Sequence, residues 1–440
     1  MSNIKKIDKL KLNHWLNIRK TTISVLNNLL KNKLNYYLTL ENLDKTDEYS
    51  INLISEVLDI PSSYITANEK TPSYIFKTKS MIDKTKRPIE RDGIHFYNYY
   101  TLPTPTGYIA PVLIDILCPK NKLPKLNNGH LEPAITVNLG PNDIYARFDK
   151  KINKTTWKRF KVNKDRKTDW IVGASYFEPS YCVHTYSRAT EGPGKILSYT
   201  TKSYLEGLLK DKLNDNSFKN LQKIAKTKKI NKTFLFQDIL NKGFSLETIS
   251  KETRIPIKKI KNFKLNYKEL SKICDLINSD PSNYLNKKFK EDAIGKYWYD
   301  CKDSLKTIRK FKSYEVASIA YSTRFPDLFG YFIKVNDNLK KPKLDLIDSN
   351  CAHYLSTKGS VKFYIEIGKK IETHNVDEGD AIWVSAFTKH GFSGSGSLVK
   401  ISDGQNINYL EKVDLMNTYN LEKTLARGRD DNVNWGYDAK

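Results

Sequence analysis

His130 and His184 fall on segments patterned as strands, and Glu178 stands six residues before the second histidine in Glu178-Pro-Ser-Tyr-Cys-Val-His184. Two imidazoles and one carboxylate on a single face form a donor set for Fe(II), leaving three octahedral positions open for a substrate and O2. A barrel is the element that brings such separated strands together.

Glu132 competes for the third place. On a strand, His130-Leu-Glu132 sends both side chains to one face, the arrangement of the 2-oxoglutarate dioxygenases. Those enzymes hold the co-substrate with an Arg-X-Ser beyond the distal histidine, and Gly192-Pro-Gly-Lys-Ile-Leu-Ser198 contains none. Glu178 is therefore preferred, and 2-oxoglutarate is not expected.

The pattern occurs twice. Asn128-Gly-His130 precedes the alternating run Ala-Ile-Thr-Val-Asn-Leu, and Cys351-Ala-His353 precedes a second alternating run. Aligning His390 with His184 puts Val384 opposite Glu178, so the second copy offers His353, His390 and an apolar side chain. The metal is expected in the first copy alone.

Helical segments repeat as well. Ile54-Ser-Glu-Val-Leu-Asp-Ile-Pro-Ser-Ser-Tyr-Ile65 returns as Ile273-Cys-Asp-Leu-Ile-Asn-Ser-Asp-Pro-Ser-Asn-Tyr-Leu285, in each case a short apolar helix followed by a new turn. The expected fold class is mixed α+β, two repeats of a small helix-turn-helix-like helical domain followed by a cupin β-barrel. The segments are 1–75 (helical), 76–205 (first cupin, with the iron site), 206–290 (helical) and 291–440 (degenerate second cupin with the C-terminal tail). The aromatic end of that tail, Trp435-Gly-Tyr, is expected to pack on a barrel.

The 440 residues suffice for several cores, and a net charge of +25 suggests an anionic partner. Lysine is spread along the whole chain, which fits a solvated surface better than a nucleic-acid stripe. The five cysteines lack any CxxC spacing, arguing against a disulfide framework or a thiolate zinc site. No signal-peptide core and no spanning apolar run is evident, so a cytoplasmic protein without membrane contact is expected.

The segments Arg91-Asp-Gly-Ile-His-Phe-Tyr-Asn-Tyr-Tyr-Thr-Leu102, Asn127-Asn-Gly-His-Leu-Glu-Pro-Ala-Ile-Thr-Val-Asn-Leu-Gly-Pro141 and Glu178-Pro-Ser-Tyr-Cys-Val-His184 resemble the hydroxyethylphosphonate dioxygenase and methylphosphonate synthase family. The likeness runs from His14-Trp15-Leu-Asn-Ile-Arg-Lys20 to Trp435-Gly-Tyr-Asp. It implies a mononuclear Fe(II) enzyme that uses O2 to cleave the carbon-carbon bond of 2-hydroxyethylphosphonate, giving hydroxymethylphosphonate and formate. It also implies His130, Glu178 and His184 as iron ligands, with Lys20, Arg91, Tyr99 and Asn127 holding the phosphonate. Lys20 and Tyr99 would in addition take part in catalysis.

The same resemblance admits a methylphosphonate synthase acting on the same substrate. Glu178, where synthases are understood to carry glutamine, leans toward the dioxygenase. A cupin-sensor DNA-binding regulator is the alternative from another class. Lys258-Lys-Ile-Lys261 lacks Arg, Asn or Gln clustered beside it to read bases, so no nucleic-acid partner is expected. A homo-oligomer, the chain that supplies Lys20, and a contribution of Lys400 to the pocket stay open.

Overall fold

Period-two alternation decides which way each central strand faces. In the strand Gly194–Thr200, Ile196 packs with Ile114, Ile144 and Phe160, whereas Leu197 and Tyr199 turn the other way, toward Phe332, Val399 and Ile401. The first side is the interior of one barrel. The second is an apolar layer between two large sheets standing back to back.

The computed structural model describes residues 6–429 apart from 32, 40, 44–45, 68–70, 92, 123, 149–156, 164–169, 226–229, 286–296, 323–324 and 338–341. Its first large sheet is antiparallel and runs, in order, Tyr297–Tyr299, Ser175–Glu178, Ala134–Gly140, Gly194–Thr200, Val112–Ile116, Ile94–Thr101 and Arg87–Arg91. A three-stranded sheet of Trp157–Phe160, Ile144–Arg147 and Thr185–Arg188 closes over its inner face. The second large sheet runs Tyr74–Lys77, Ala381–Val384, Cys351–Ile367, His390–Asp403, Phe329–Asp337, Tyr314–Ser318 and Arg309–Lys310, with Lys370–Val376 paired to Cys351–Ile367.

The strands do not respect the boundaries expected from chain order. Tyr74–Lys77, at the expected start of the first barrel, pairs with Ala381–Val384 of the second, and Tyr297–Tyr299, inside the expected second barrel, pairs with Ser175–Glu178 of the first. Each sheet thus ends in a strand lent by the segment that leads into the other. An edge strand is covered in this way on both sides.

The helical segments hold cores of their own, one around Leu12, Leu26 and Ile54, the other around Leu235, Ile249 and Ile273. Glu48–Leu58 is capped by Asp47, and Tyr267–Ile277 by Asn266 in a capping box with Glu269. Both end on a left-handed residue, Asp59 at φ 52° and Asn278 at φ 49°, and both continue into a single 3-10 turn, Ser62–Tyr64 and Pro281–Tyr284.

Two C-terminal helices, Tyr409–Met416 and Leu421–Arg429, follow the second sheet, and Trp435-Gly-Tyr lies outside the described residues. All five cysteines are free. Among the described residues no helix is long and apolar enough to cross a membrane.

Candidate metal centre

Three strand ends deliver the candidate ligands. Glu178 is the last residue of Ser175–Glu178 and sits opposite Ala134 in the ladder; His130 lies four residues before Ala134, and His184 immediately precedes Thr185–Arg188. The two loops are sewn together by main-chain bonds from Tyr181 N to His130 O (2.6 Å) and from Asn127 N to His184 O (3.0 Å). Gly129 makes this possible. At φ +72°, a Cβ there would stand 2.6 Å from the Tyr181 carbonyl carbon.

His130, Glu178 and His184 each offer an atom within 4.8 Å of the others. His130 Nδ1 donates to the Glu132 carbonyl at 2.6 Å, which fixes its tautomer and turns the Nε2 lone pair toward Glu178 Oε1, 3.9 Å away. His184 Nδ1 lies 3.0 Å from the Cys182 carbonyl and touches Glu178 Oε1. Glu178 is 1% exposed, and its Oε1 accepts no hydrogen bond of good geometry among the described residues. A buried carboxylate oxygen aimed at two imidazoles and lacking a donor is what a divalent cation would satisfy. The donor set fits Fe(II).

Glu132 is not in the cluster, and the geometry expected for it does not occur. Residues 130–133 precede the strand and form a bend, so His130 and Glu132 share no strand face; Glu132 serves through its backbone.

A small cavity of about 180 Å³ opens beside the cluster, with Tyr97, Tyr99, Asn127, His130, His184 and Ser198 on its wall. Larger cavities of about 460 and 550 Å³ lie elsewhere, one beside Tyr204 and Asp327, the other in the second barrel. Of these three, only the small one is lined by the clustered histidines.

Tyr99 and Asn127 both line this cavity. The Asn127 amide nitrogen lies 2.7 Å from His184 Nε2, while its oxygen takes the main-chain N–H of Gly129 (3.0 Å) and of His184 (2.9 Å). Arg91 closes the strand Arg87–Arg91, and its side chain lies outside the described part. Lys20 is not brought to the cavity. It is exposed on the turn after the helix Lys9–Ile18, at φ 55°. Lys400 is not there either; it points into the second barrel.

Tyr97, Thr185, Tyr186, Ser198 and Thr200 also line the cavity and escaped the sequence reading. The alternation Tyr97/Tyr99 and Ser198/Thr200 was the available signal. The Tyr97 hydroxyl donates to the Tyr186 carbonyl (2.9 Å) and accepts from the Tyr186 N–H (3.1 Å), anchoring the strand that follows His184. Burial pushes the Tyr97 phenol up to about 12 and raises that of Tyr186 as well, so both stay protonated.

The 2-hydroxyethylphosphonate dioxygenase cupin-like domain matches residues 83–201, a stretch that contains all three ligand candidates. A 2-hydroxyethylphosphonate dioxygenase of Streptomyces viridochromogenes is 33% identical over 446 residues, covering 98% of this chain and all of the relative. This chain belongs to the 2-hydroxyethylphosphonate dioxygenase family.

Solved structures of the 2-hydroxyethylphosphonate dioxygenase family match over nearly the whole length. PhpD with cadmium, complexed with hydroethylphosphonate, superposes with a TM-score of 0.82 at 32% identity, over 96% of this chain and 100% of that one. Streptomyces albus HEPD with 2-hydroxyethylphosphonate and Fe(II) bound gives 0.78 at 13% identity over 97% and 98%, a likeness of fold.

The second barrel corrects the internal alignment. Ala352 pairs with Val384 as Ala134 pairs with Glu178, so Val384 does stand at the Glu178 position. Counting back from those alanines, however, the residue matching His130 is Asp348. The Tyr181 N to His130 O bond has its counterpart in Phe387 N to Asp348 O (2.7 Å). His353 instead corresponds to Ile135 and is buried against Tyr199, with ring centroids 4.9 Å apart.

Proposed function

We propose that this chain is a non-haem Fe(II) dioxygenase that cleaves the carbon-carbon bond of 2-hydroxyethylphosphonate with O2, giving hydroxymethylphosphonate and formate. The observation that carries the reading is the His130, Glu178, His184 cluster on the wall of a small cavity edged by Tyr99 and Asn127, in a chain of this family. Substrate plus O2 equals the two products atom for atom. The substrate supplies every electron, so neither 2-oxoglutarate nor an external reductant enters.

His130, Glu178 and His184 hold the iron, which when bound supplies a Lewis acid and the electrons that make O2 reactive. Tyr99 and Asn127 donate directional hydrogen bonds to the phosphonate, and Tyr99 serves catalysis from the same position. Arg91 and Lys20 offset its charge with charge-assisted bonds. Lys20 reaches the phosphonate and its catalytic place only if its helical segment closes on a barrel, its own or that of a second copy in a homo-oligomer.

The organisation proposed with this function is two repeats of a helix-turn-helix-like domain and a cupin, over 1–75, 76–205, 206–290 and 291–440, with the two strands exchanged as described. The helical domains are not DNA readers in this proposal. Lys259 meets Glu269, and Lys261 lies 3.3 Å from Glu247, so two of three clustered lysines face carboxylates. Five free thiols suit a reducing cytoplasm.

Phosphorus NMR of the Fe(II)-loaded protein incubated aerobically with 2-hydroxyethylphosphonate, with formate measured alongside, tests the proposal. Hydroxymethylphosphonate and formate are expected. A methylphosphonate signal would make the chain a synthase that works with a glutamate ligand, and unchanged substrate would remove the enzyme reading.

A further inference from the structure

The second barrel reproduces the metal-site frame of the first residue by residue. Asp348 replaces His130, Val384 replaces Glu178 and His390 matches His184. The loop geometry is preserved: Tyr181 and Phe387 both adopt φ 57°, and His390 Nδ1 lies 2.8 Å from the Thr388 carbonyl just as His184 Nδ1 lies 3.0 Å from that of Cys182. His390 Nε2 is thereby turned inward, 3.9 Å from Asp348 Oδ2. A carboxylate and an imidazole thus still converge there, two members of a facial ligand set.

What differs is a third substitution. Lys400 pairs with Tyr354 in the ladder as Ser198 pairs with Thr136, so the lysine occupies the place of a serine on the wall of the first cavity. Its side chain is 12% exposed, and its ammonium meets Asp348 Oδ1 directly. Tyr354 completes the arrangement, donating its hydroxyl to His390 Nε2 at 2.8 Å. That lone pair is available because burial holds His390 below its ordinary pKa, as a neutral ring.

We infer that Lys400 is an internal cation standing in for the metal ion in the second barrel, and that its ammonium is what keeps divalent ions out of a frame still able to hold one, Val384 only removing one of its three ligands. The inference rests on His130, Glu178 and His184 being the metal site of the first barrel. A largely enclosed Asp348 carboxylate beside a neutral imidazole is stabilised by a positive charge, and a covalently attached one supplies it at every metal concentration. The consequence is one metal ion per chain, with the second barrel preserved as a wall for the first.

The test counts Co(II) bound per chain after anaerobic loading and desalting, in the parent protein, Val384→Glu, Lys400→Ser and the double variant. Circular dichroism checks folding, and the unfolding temperature is read with and without Co(II). Val384→Glu alone is expected to bind no more than the parent, because the introduced carboxylate is met by the ammonium. The double variant is expected to bind one ion more than the parent and to gain a Co(II)-dependent rise in unfolding temperature.

The count is a difference, so the two barrels are read separately: a parent that binds nothing sinks the proposed function, and the ion added by the double variant is still counted against it. Val384→Glu binding the extra ion with Lys400 in place would overturn the inference, as would a folded double variant that binds no more than the parent. Should the double variant not fold, Lys400→Ser, which keeps Asp348 and His390, carries the decision. It is expected to show Co(II) binding absent from the second barrel of the parent and abolished by His390→Ala. No such binding overturns the inference.

Discussion

The side chain of Glu178 points one oxygen at two imidazoles and gives it no hydrogen-bond donor, while Glu132, two residues from His130, contributes a carbonyl. The two carboxylates therefore separate cleanly on mutation. Metal should stabilise the parent protein, by about 2.7 kcal/mol at a hundred times its dissociation constant. Glu178→Ala should lose both that gain and turnover, whereas Glu132→Ala keeps them within roughly twofold, since any residue there presents the same carbonyl. Thermal unfolding with and without Fe(II) under argon, with a metal assay, decides it; loss in Glu132→Ala and retention in Glu178→Ala would reverse the ligand assignment. Asn127→Ala should act on both functions of that residue. Removing the side-chain oxygen that holds the His184 main-chain N–H costs roughly 10–100-fold in metal affinity, and removing a phosphonate donor raises KM. A metal effect without a KM effect would make Asn127 a positioning residue only.

Among the elements, the two loops bonded as a pair set the site, and Gly129 is their tightest point. Gly129→Ala places a methyl against the Tyr181 backbone at a positive φ, a strain of about 1–3 kcal/mol. The cheapest relief is separation of the loops, so the variant should lose metal affinity more than global stability, which a metal titration alongside urea unfolding would measure. The sequence carried the spacing of His130, Glu178 and His184 because those side chains emerge next to strands whose alternation is plain. It misled at His353, because Cys-Ala-His ahead of an alternating run imitates Asn-Gly-His, although Asp348, four residues before Ala352, has the loop's hydrogen bond. Strand exchange was invisible for a related reason: nothing in the residues of Tyr74–Lys77 or Tyr297–Tyr299 names the strand each one pairs with. Lys400 was noticed, but which barrel it faces follows only from the register of His390–Asp403.

At the scale of the whole molecule, the two large sheets fold as one body because each is incomplete alone. Between them lies His353, fully buried, with its pKa lowered to about 3, chiefly by desolvation. Its folded pKa lies below its unfolded value, so the unfolded chain binds more protons between them. Its contribution is complete above pH 6.5 and is lost as pH falls toward 3. From pH 6.5 to 5 that is about 2 kcal/mol, partly opposed by Asp403, whose raised pKa works in the other direction. His353→Leu should flatten this part of the profile in urea unfolding at pH 5 and 7; an unchanged slope would refute it. The same layer predicts how the chain divides. A fragment of residues 1–205 loses Tyr297–Tyr299, so Ser175–Glu178, the strand that ends in Glu178, becomes an open edge. It also loses Trp298, stacked on Tyr176 at 7° with centroids 6.1 Å apart, and it exposes Leu113, Ile135, Val137, Leu197 and Tyr199, which pack toward the second sheet. An uncovered apolar face of that extent invites aggregation. The fragment alone should therefore be insoluble or free of metal, and co-expression with residues 206–440 should restore a soluble metal-binding pair, because each fragment then supplies the strand the other lacks. If residues 1–205 alone are monomeric and hold metal with the affinity of the full chain, the second barrel is not a structural wall of the first.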